Sequence, residues 1–578
     1  MLIASGITLV LITWLALVVL LVLTGLAPSL LVQRGLVDTG TLRRSLWWGL
    51  LIVTLAVLAG SLVTPIRSTG FAVYLSVAVV VAGGTGLALA RARGWTFTRE
   101  PARTLWWIAI PSLLAVVALA AASLGPVTNY DTGLYHLGAI AYAFDYSAIP
   151  GLANLYQPLG YATAQFPLAA VMGIGPWGED GFRLLNGLII TAVVVDLVLR
   201  FLRQRTTPGT WIQLVGAAAL LVSMVALADY WVTSPSQDAA VFALTVVGVA
   251  YLADALTERS SFAANGAVAM AIAIVAVLIR PTAAFFAVTL AGVLLSRAWS
   301  WRRQSLEGMG AASTAVAIAG VLALALVTAR DYLLSGWFQY PLSLFAFDVP
   351  WRAGDPTPLR EATLGFHRDP DDLWGSVSGY DWVVPWMSRA FTQWEAWLFV
   401  LVLLAAVALL LMARRTGPIG ARILVLSMLP SLVAVATWFL LSPPAFRFAW
   451  GPLVTIAAIP AGWGLWLLKD RAETHLWEFA AALGFAAAVA GVSILTLATR
   501  TEWSEMSLER GWSAGISIPY AVSPLQTPEV VESELSSGLT VLVPIDGELC
   551  WATFPLCTPR AADSLRLAGQ NLQEGLLP

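Results

Sequence analysis

The sequence TNYDTGLYHLGAIAYAFDYSAIPGLANLY (residues 128–156) places polar and charged side chains between two apolar runs. It carries Asp131, His136 and Asp145, although only 11% of the 578 residues are charged. Ionisable side chains near membrane depth are costly and usually face a cavity or a partner. The stretch therefore predicts a functional loop at a membrane surface.

Composition extends this interpretation to the whole chain. Hydrophobic residues make up 58% of the sequence and the mean hydropathy is +0.79, whereas soluble domains contain about 25% charged residues. The net charge of −2 gives no indication of nucleic-acid binding. The apolar run 2–26 is too long for a signal-peptide core and lacks a basic leader, so we interpret it as a span. We predict an all-α polytopic membrane protein.

A membrane-spanning helix needs about 20 mostly apolar residues. Fourteen segments qualify: 2–26, 45–64, 70–92, 105–123, 183–202, 212–228, 238–256, 264–279, 281–298, 310–328, 396–413, 421–441, 448–468 and 476–498. A further apolar run, 160–176, is interrupted by Gln165, Pro167 and Gly173. We interpret it as a juxtamembrane or re-entrant helix that follows a first such helix at 133–145.

Arg and Lys in short loops favour the cytoplasm. Six basic loops lie at 33–44, 91–103, 200–205, 297–303, 413–422 and 468–475. Placing all of them in the cytoplasm lets fourteen spans alternate, provided that 160–176 does not cross. Both termini and loop 125–182 then lie outside the plasma membrane of a bacterium.

This topology divides the chain into six parts. They are N-terminal spans 1–124, the loop with juxtamembrane helices 125–182, a span core 183–328, an outer substrate-binding loop 329–395, C-terminal spans 396–498 and a small extracytoplasmic tail 499–578. The two cysteines, Cys550 and Cys557, both fall in the tail, where an oxidising compartment permits a disulfide. We expect two short strands around them and a tail that covers the mouth of the site.

Asp131 is the candidate catalytic base, since a carboxylate can take the proton of an acceptor hydroxyl. If a helix begins near Thr132, Tyr135 shares its face and becomes a candidate substrate contact. Asp131 could instead be the N-cap of that helix or a member of a structural ion pair. His136 could orient Asp131, contact substrate or pack on an aromatic ring, and Asp145 is expected to be structural.

Arginines at the same ends of other spans are candidate ligands for a donor phosphate: Arg280, Arg330 and Arg447. Guanidinium groups bind phosphate through paired hydrogen bonds, although Arg280 could equally extend towards lipid headgroups. Candidate substrate-binding acids are Asp229, Asp238 and Asp348. Asp238 could instead simply favour a helix start, with Ser236 as the cap.

The segment DTGLYHLGAIAYAFDYSAIPGLANLYQPLGYATAQFPLAA (131–170) is followed in order by SPSQDAA, ARDYLLSGWFQYPLSLFAFDVPW, FRFAWG and CWATFPLCTP. This ordered set resembles a little-characterised bacterial group of polytopic membrane proteins. That group is in turn similar to the GT-C fold of polyprenyl-phosphate-dependent glycosyltransferases. The resemblance implies two juxtamembrane helices and an acidic motif in the first outer loop, with Asp131 matching the motif's aspartate. The sequence departs from the usual acid-x-Asp pair, because it reads Asn129-Tyr130-Asp131.

The sequence contains no P-loop, GxSxG, HExxH or dinucleotide-binding motif. We therefore expect an enzyme that moves a sugar from a polyprenyl-phosphate donor to a glycan or glycolipid acceptor of the cell envelope, working within the lipid bilayer. We predict no metal site, while a divalent cation is left open. The alternatives are a transporter or flippase of a lipid-linked saccharide, and a ligase or scaffold of envelope polysaccharide assembly.

Overall fold

The computed structural model describes residues 1–33, 35–96, 102–202, 206–301, 306–414, 420–469, 476–499, 506–512 and 517–578. Part of each of the six basic loops used to orient the chain lies outside these described residues.

Helices dominate the described chain. In order they are α1 (Leu2–Val32), α2 (Thr39–Val63), α3 (Thr69–Arg93), α4 (Leu105–Ala122), α5 (Leu137–Asp145), α6 (Gln165–Val171), α7 (Leu185–Phe201), α8 (Pro208–Ala226), α9 (Ala228–Trp231), α10 (Gln237–Thr257), α11 (Phe262–Ile279), α12 (Ala284–Ser300), α13 (Met309–Ser335), α14 (Thr357–Arg368), α15 (Val383–Ala390), α16 (Trp394–Arg414), α17 (Ala421–Leu441), α18 (Trp450–Lys469) and α19 (Leu476–Thr499). The strands are β1 (Leu508–Gly511), β2 (Pro519–Val522), β3 (Val530–Glu534), β4 (Thr540–Pro544), β5 (Arg566–Leu567) and β6 (Leu576–Leu577).

Within the described ranges, 14 helices are long and apolar enough to cross a membrane. They are α1–α4, α7, α8, α10–α13 and α16–α19, each overlapping one of the predicted spans. The run 160–176 yields only the seven-residue α6, which is far too short to cross a bilayer. The predicted all-α architecture with fourteen candidate spans is therefore confirmed.

Helix α10 lies at the centre of the bundle. Its most apolar 18-residue window is 100% buried, and it packs against α7, α8, α11, α17 and α18. Spans pack closely where small side chains let backbones approach. The α1–α2 pair shows this directly, because a Cβ on Gly25 would lie 1.9 Å from the Ser45 carbonyl oxygen and one on Gly49 would lie 1.8 Å from that of Leu21.

A buried ionic network joins α2, α7 and α10 at one end of the bundle. Arg200 contacts Asp196 at 3.0 Å and Asp254 at 2.6 Å, and Arg43 approaches the same two carboxylates at 4.0 and 3.9 Å. Tyr251 donates a 2.7 Å hydrogen bond to Asp196. Buried charges persist only when paired and hydrogen-bonded, so these mutual contacts hold the three helix ends together.

The other end of the bundle carries the long connections, and we call it the loop face: residues 123–184, 336–393, 506–512 and 517–578. There the segment after α4 forms a π-helical turn, Thr132–His136, that runs directly into α5. Asp145, at the end of α5, pairs with Arg67 at 2.9 Å, which agrees with the structural role expected for it.

The tail forms three small antiparallel two-stranded sheets that pack on the loop face. The predicted disulfide between Cys550 and Cys557 is present. Two strands were expected around the cysteines, but only β4 lies there, and its partner is the upstream β3. Ser5 of α1 donates a 2.6 Å hydrogen bond to the Pro519 carbonyl, so α1 begins on the same face on which the tail folds.

Candidate functional site

A cavity of about 340 Å³ opens on the loop face between α10, α12, α17 and α18. Six of the predicted site residues line it: Asp131, Tyr135, His136, Asp238, Arg280 and Arg447. Their side chains come from three distant parts of the sequence, because the first loop, the α9–α12 region and the start of α18 meet here.

Asp131 enters the cavity from the residue before the π-helical turn. Its backbone N–H donates to Asn129 Oδ1 at 3.0 Å, and Asn129 is held in turn by the Tyr230 carbonyl. The Asp131 side chain makes no capping hydrogen bond. One carboxylate oxygen, Oδ2, instead lies 3.2 Å from Arg447 Nη1. The structure thus favours the ion-pair alternative over the helix-cap alternative.

His136 is buried at the back of the cavity. Its Nδ1 lies 3.2 Å from Thr132 Oγ1, which shares a 2.7 Å hydrogen bond with Ser234. Burial, followed by the positive charges of Arg447 and Arg280, lowers the pKa of His136 to about 3. The ring is therefore neutral at neutral pH, and the bond to Thr132 gives no support to the idea that His136 orients Asp131.

A second acid–arginine pair faces the first across the cavity. Ser236 caps α10, and its hydroxyl donates to Asp238 Oδ2 at 3.1 Å. Asp238 Oδ1 lies 2.5 Å from Arg280 Nη1. Arg280 is the last residue before Pro281, which ends the preceding helix because proline lacks the N–H that a helix interior needs. Asp238 therefore both begins a helix and lines the cavity.

Phe448 links the two pairs. The guanidinium carbons of Arg280 and Arg447 each lie 4.9 Å from the centre of its ring, a distance at which cation–π attraction operates. Each arginine uses one nitrogen for its aspartate. Because a guanidinium has further N–H donors, both can still bind an anion that enters between them.

Sequence reasoning missed His367 and Tyr161, which also line the cavity. On α14, Nδ1 of His367 lies 2.9 Å from the Thr363 carbonyl oxygen. Because a carbonyl oxygen can only accept, Nδ1 carries the proton and Nε2 is the acceptor nitrogen. Burial lowers the pKa of His367 and raises that of Tyr161 to about 12. Two features of the sequence could have identified His367: it is one of only three histidines, and it lies in a predicted outer loop.

Three predicted site residues do not line the cavity. Arg330 is buried beside α2, with Ser61 Oγ 3.4 Å from its Nη1, so it lies apart from Arg280 and Arg447, and its role on a donor phosphate stays a prediction. Asp229 lies in α9, where its carbonyl accepts from Thr128 and Thr233. Asp348 is exposed in the connection between α13 and α14. The described residues of the tail do not line the cavity either, and Trp551 packs behind the π-helical turn instead.

Within the described ranges, no group of three or more His, Cys, Asp or Glu side chains is arranged to hold a metal ion. The cavity instead combines two carboxylates, two guanidinium groups and two neutral imidazoles. These groups suit an anionic ligand with hydroxyl groups and can accept a proton.

Comparison with known proteins gives one finding. No curated protein and no solved structure matches the chain. Residues 7–454 match a family described as "Domain of unknown function (DUF8201)". The matched range contains every residue that lines the cavity, whereas α19 and the disulfide-bonded tail lie beyond it. The chain belongs to this family of unknown function.

Proposed function

We propose that the protein is a GT-C-type glycosyltransferase that moves a sugar from a polyprenyl-phosphate donor to a glycan or glycolipid of the cell envelope, on the outer face of the plasma membrane. The observation that carries the proposal is the cavity that joins Asp131 to Arg280 and Arg447 at the end of the spans. A base and a pair of phosphate ligands are the groups that this reaction requires.

Asp131 would act as the base. An acceptor hydroxyl oxygen attacks the anomeric carbon, its proton passes to the Asp131 carboxylate, and the bond between the anomeric carbon and the phosphate oxygen breaks. The electron pair of that bond stays on the phosphate. Arg280 and Arg447 neutralise the charge that develops there, and fixed cations in a site shielded from water stabilise such a transition state strongly.

The apolar wall that the spans form suits the hydrocarbon part of the donor. Val241, Phe286, Ala434 and Pro452 line it, and they belong to α10, α12, α17 and α18. A polyprenyl chain can lie among these side chains while its phosphate reaches the arginines above them. This amphipathic layout favours a lipid-linked donor over a soluble one.

The ion pair between Asp131 and Arg447 gives the site a resting state. In this state Arg447 occupies one oxygen of the Asp131 carboxylate. A donor phosphate would compete for the same guanidinium and release the carboxylate to accept a proton. Binding of the donor thus prepares the base for the acceptor.

Asp131→Asn tests the proposal in cells. We expect the variant to lose the envelope glycan or glycolipid that the protein makes, measured by mass spectrometry of envelope extracts at equal protein level. General-base removal typically costs about 10²–10⁴-fold in rate. Asp145→Asn is the matched control, because Asp145 lies on the same helical segment but pairs with Arg67 outside the cavity.

An unchanged extract in Asp131→Asn cells would contradict the proposal. Loss of the product in Arg280→Gln and Arg447→Gln cells, but not in Asp131→Asn cells, would instead favour a ligase that uses only the arginines. Chelation of divalent cations in membranes, with the same readout, tests whether such an ion takes part.

A further inference from the structure

A second, apolar space lies beside the cavity at the depth of the spans. We call it the apolar groove. It measures about 350 Å³ and lies between α8, α16 and α18, with Val215, Ala219, Leu227, Val402 and Ala457 among its lining residues. From Val215 to Leu227 it follows α8 for about 18 Å. Leu227 and Val402 are 37% and 39% exposed, so the groove communicates with the surrounding lipid.

A third space connects this groove to the loop face. We call it the vestibule, and it measures about 340 Å³. It shares Glu395, Phe446 and Trp450 with the apolar groove, and it shares His367 and Arg447 with the cavity of the site. The three spaces therefore adjoin one another and mark a path from lipid depth to the arginine that holds Asp131.

The 3-10 turn Phe446–Ala449 separates the two ends of this path. Phe446 faces the groove and vestibule, Phe448 faces the cavity, and Arg447 borders both the vestibule and the cavity. One turn of backbone thus places the cavity on one side of a shared guanidinium and the vestibule, which leads to the apolar groove, on the other. Two amphiphiles can approach Arg447 from opposite sides without competing for hydrocarbon space.

From this arrangement we infer that the acceptor is itself a membrane lipid: its hydrocarbon chain lies in the apolar groove, and its hydroxyl-bearing head crosses the vestibule to meet the donor at Arg447. The inference rests on the proposed function and names the class of its second substrate. The vestibule suits such a head, since Trp231 and Trp386 offer aromatic faces and Arg389, Gln393 and Glu395 offer polar groups. A soluble glycan would make no use of the groove.

Filling the groove tests the inference. In cells, Ala219→Trp and Val402→Trp place an indole in the groove from opposite walls, α8 and α16. Every two methylene groups excluded from such a site weaken binding about tenfold. We expect both variants to lower the amount of product about tenfold or more, and we expect that product to partition into chloroform–methanol. Ala317→Trp is the control, because Ala317 is exposed on α13 and does not line the groove.

The outcomes separate the two proposals. If Asp131→Asn removes a product that stays in the aqueous phase, or if a folded groove variant leaves the product within about twofold of wild type, the lipid acceptor is wrong while the glycosyltransferase stands. If Asp131→Asn changes nothing, the proposed function itself fails. Size-exclusion chromatography identifies the variants that fold. Because the two substitutions lie on different walls of the groove, the test needs only one of them to fold.

Discussion

His136 is an uncharged base set among cations. Burial opposes its protonation most, and the positive charges of Arg447 and Arg280 add to that effect, so the pKa of His136 falls to about 3. The neutral ring packs on Tyr135 and Phe166, with centroids 4.5 and 5.3 Å away. A neutral ring cannot neutralise a phosphate, so His136 can contribute only hydrogen bonding and packing.

The low pKa of His136 makes a prediction about stability. An unfolded chain takes up a proton on this histidine near pH 6.5, but the folded protein does so only near pH 3. The contribution of His136 to the free energy of unfolding is therefore complete above pH 6.5. Below that pH it falls by about 1.4 kcal/mol per pH unit. Replacing His136 with Phe should reduce this loss between pH 6.5 and pH 5 by about 2 kcal/mol.

Unfolding in detergent, followed at several pH values, measures the effect. The comparison between pH 8 and pH 9 is the internal control, because both states are almost fully deprotonated at His136 there. Parallel pH profiles for the wild type and His136→Phe would show that the histidine titrates normally in the folded protein.

Only some of the predicted charged residues line the cavity, and the difference has a physical reason. Asp131, Asp238, Arg280 and Arg447 are charges at the ends of spans on one face, so hydropathy alone brought them to a common depth. Arg330 satisfies the same rule, yet it faces α2. Helix α13 is apolar on nearly all sides, so its rotation, and hence the direction of Arg330, cannot be read from periodicity.

At the scale of elements, the tail acts on the segment that carries Asp131. The backbone N–H of Trp551 donates to the Gly133 carbonyl at 2.8 Å. The Trp551 indole lies against Gly133, so that a Cβ on Gly133 would come within 2.7 Å of the ring. Further along α5, the Tyr142 hydroxyl accepts from the Leu556 N–H at 3.0 Å. The tail thus holds the rear of the π-helical turn whose front faces the cavity.

We predict that Gly133 and Trp551 are energetically coupled. Gly133→Ala forces a methyl group into the indole and should cost about 1–3 kcal/mol of stability. Trp551→Ala removes the obstacle, so the double variant should be less destabilised than the sum of the two single variants by about 1 kcal/mol or more. Unfolding of the four proteins in detergent measures the cycle. Strict additivity would mean that the tail does not brace this turn.

Element prediction succeeded where one physical signal dominates. Spans were recovered because about 20 apolar residues in a row have few alternatives in a membrane protein. The π-helical turn and the pairing of β4 with β3 were not predicted. The π-helical turn contacts the tail, which lies hundreds of residues away in the sequence and leaves no local pattern. Strands β3 and β4 instead form a local hairpin over residues 530–544.

The whole molecule is asymmetric along the membrane normal. Its cavity and tail lie on the loop face, while the network of Arg43, Asp196, Arg200 and Asp254 ties helix ends at the opposite face. One end of the bundle is therefore closed by ion pairs, and the other is open to ligands. What this asymmetry means for function depends on which face is extracytoplasmic.

We predict that the loop face is extracytoplasmic. Glu532→Cys lies exposed in the tail, and Ser260→Cys lies exposed between α10 and α11 on the opposite face. A membrane-impermeant maleimide should label Glu532→Cys in intact cells and Ser260→Cys only after permeabilisation. The native cysteines are bonded to each other and provide an unlabelled background. The reverse labelling pattern would place the cavity in the cytoplasm and contradict an outward-facing transfer.

The contact between Tyr142 and Leu556 joins residues 414 positions apart in the sequence. During synthesis the ribosome must therefore add hundreds of residues after the first loop has emerged before its support exists. Until then, the turn that carries Asp131 lacks its contacts with the tail. A nascent or prematurely terminated chain would therefore insert into the bilayer before this turn is braced from behind.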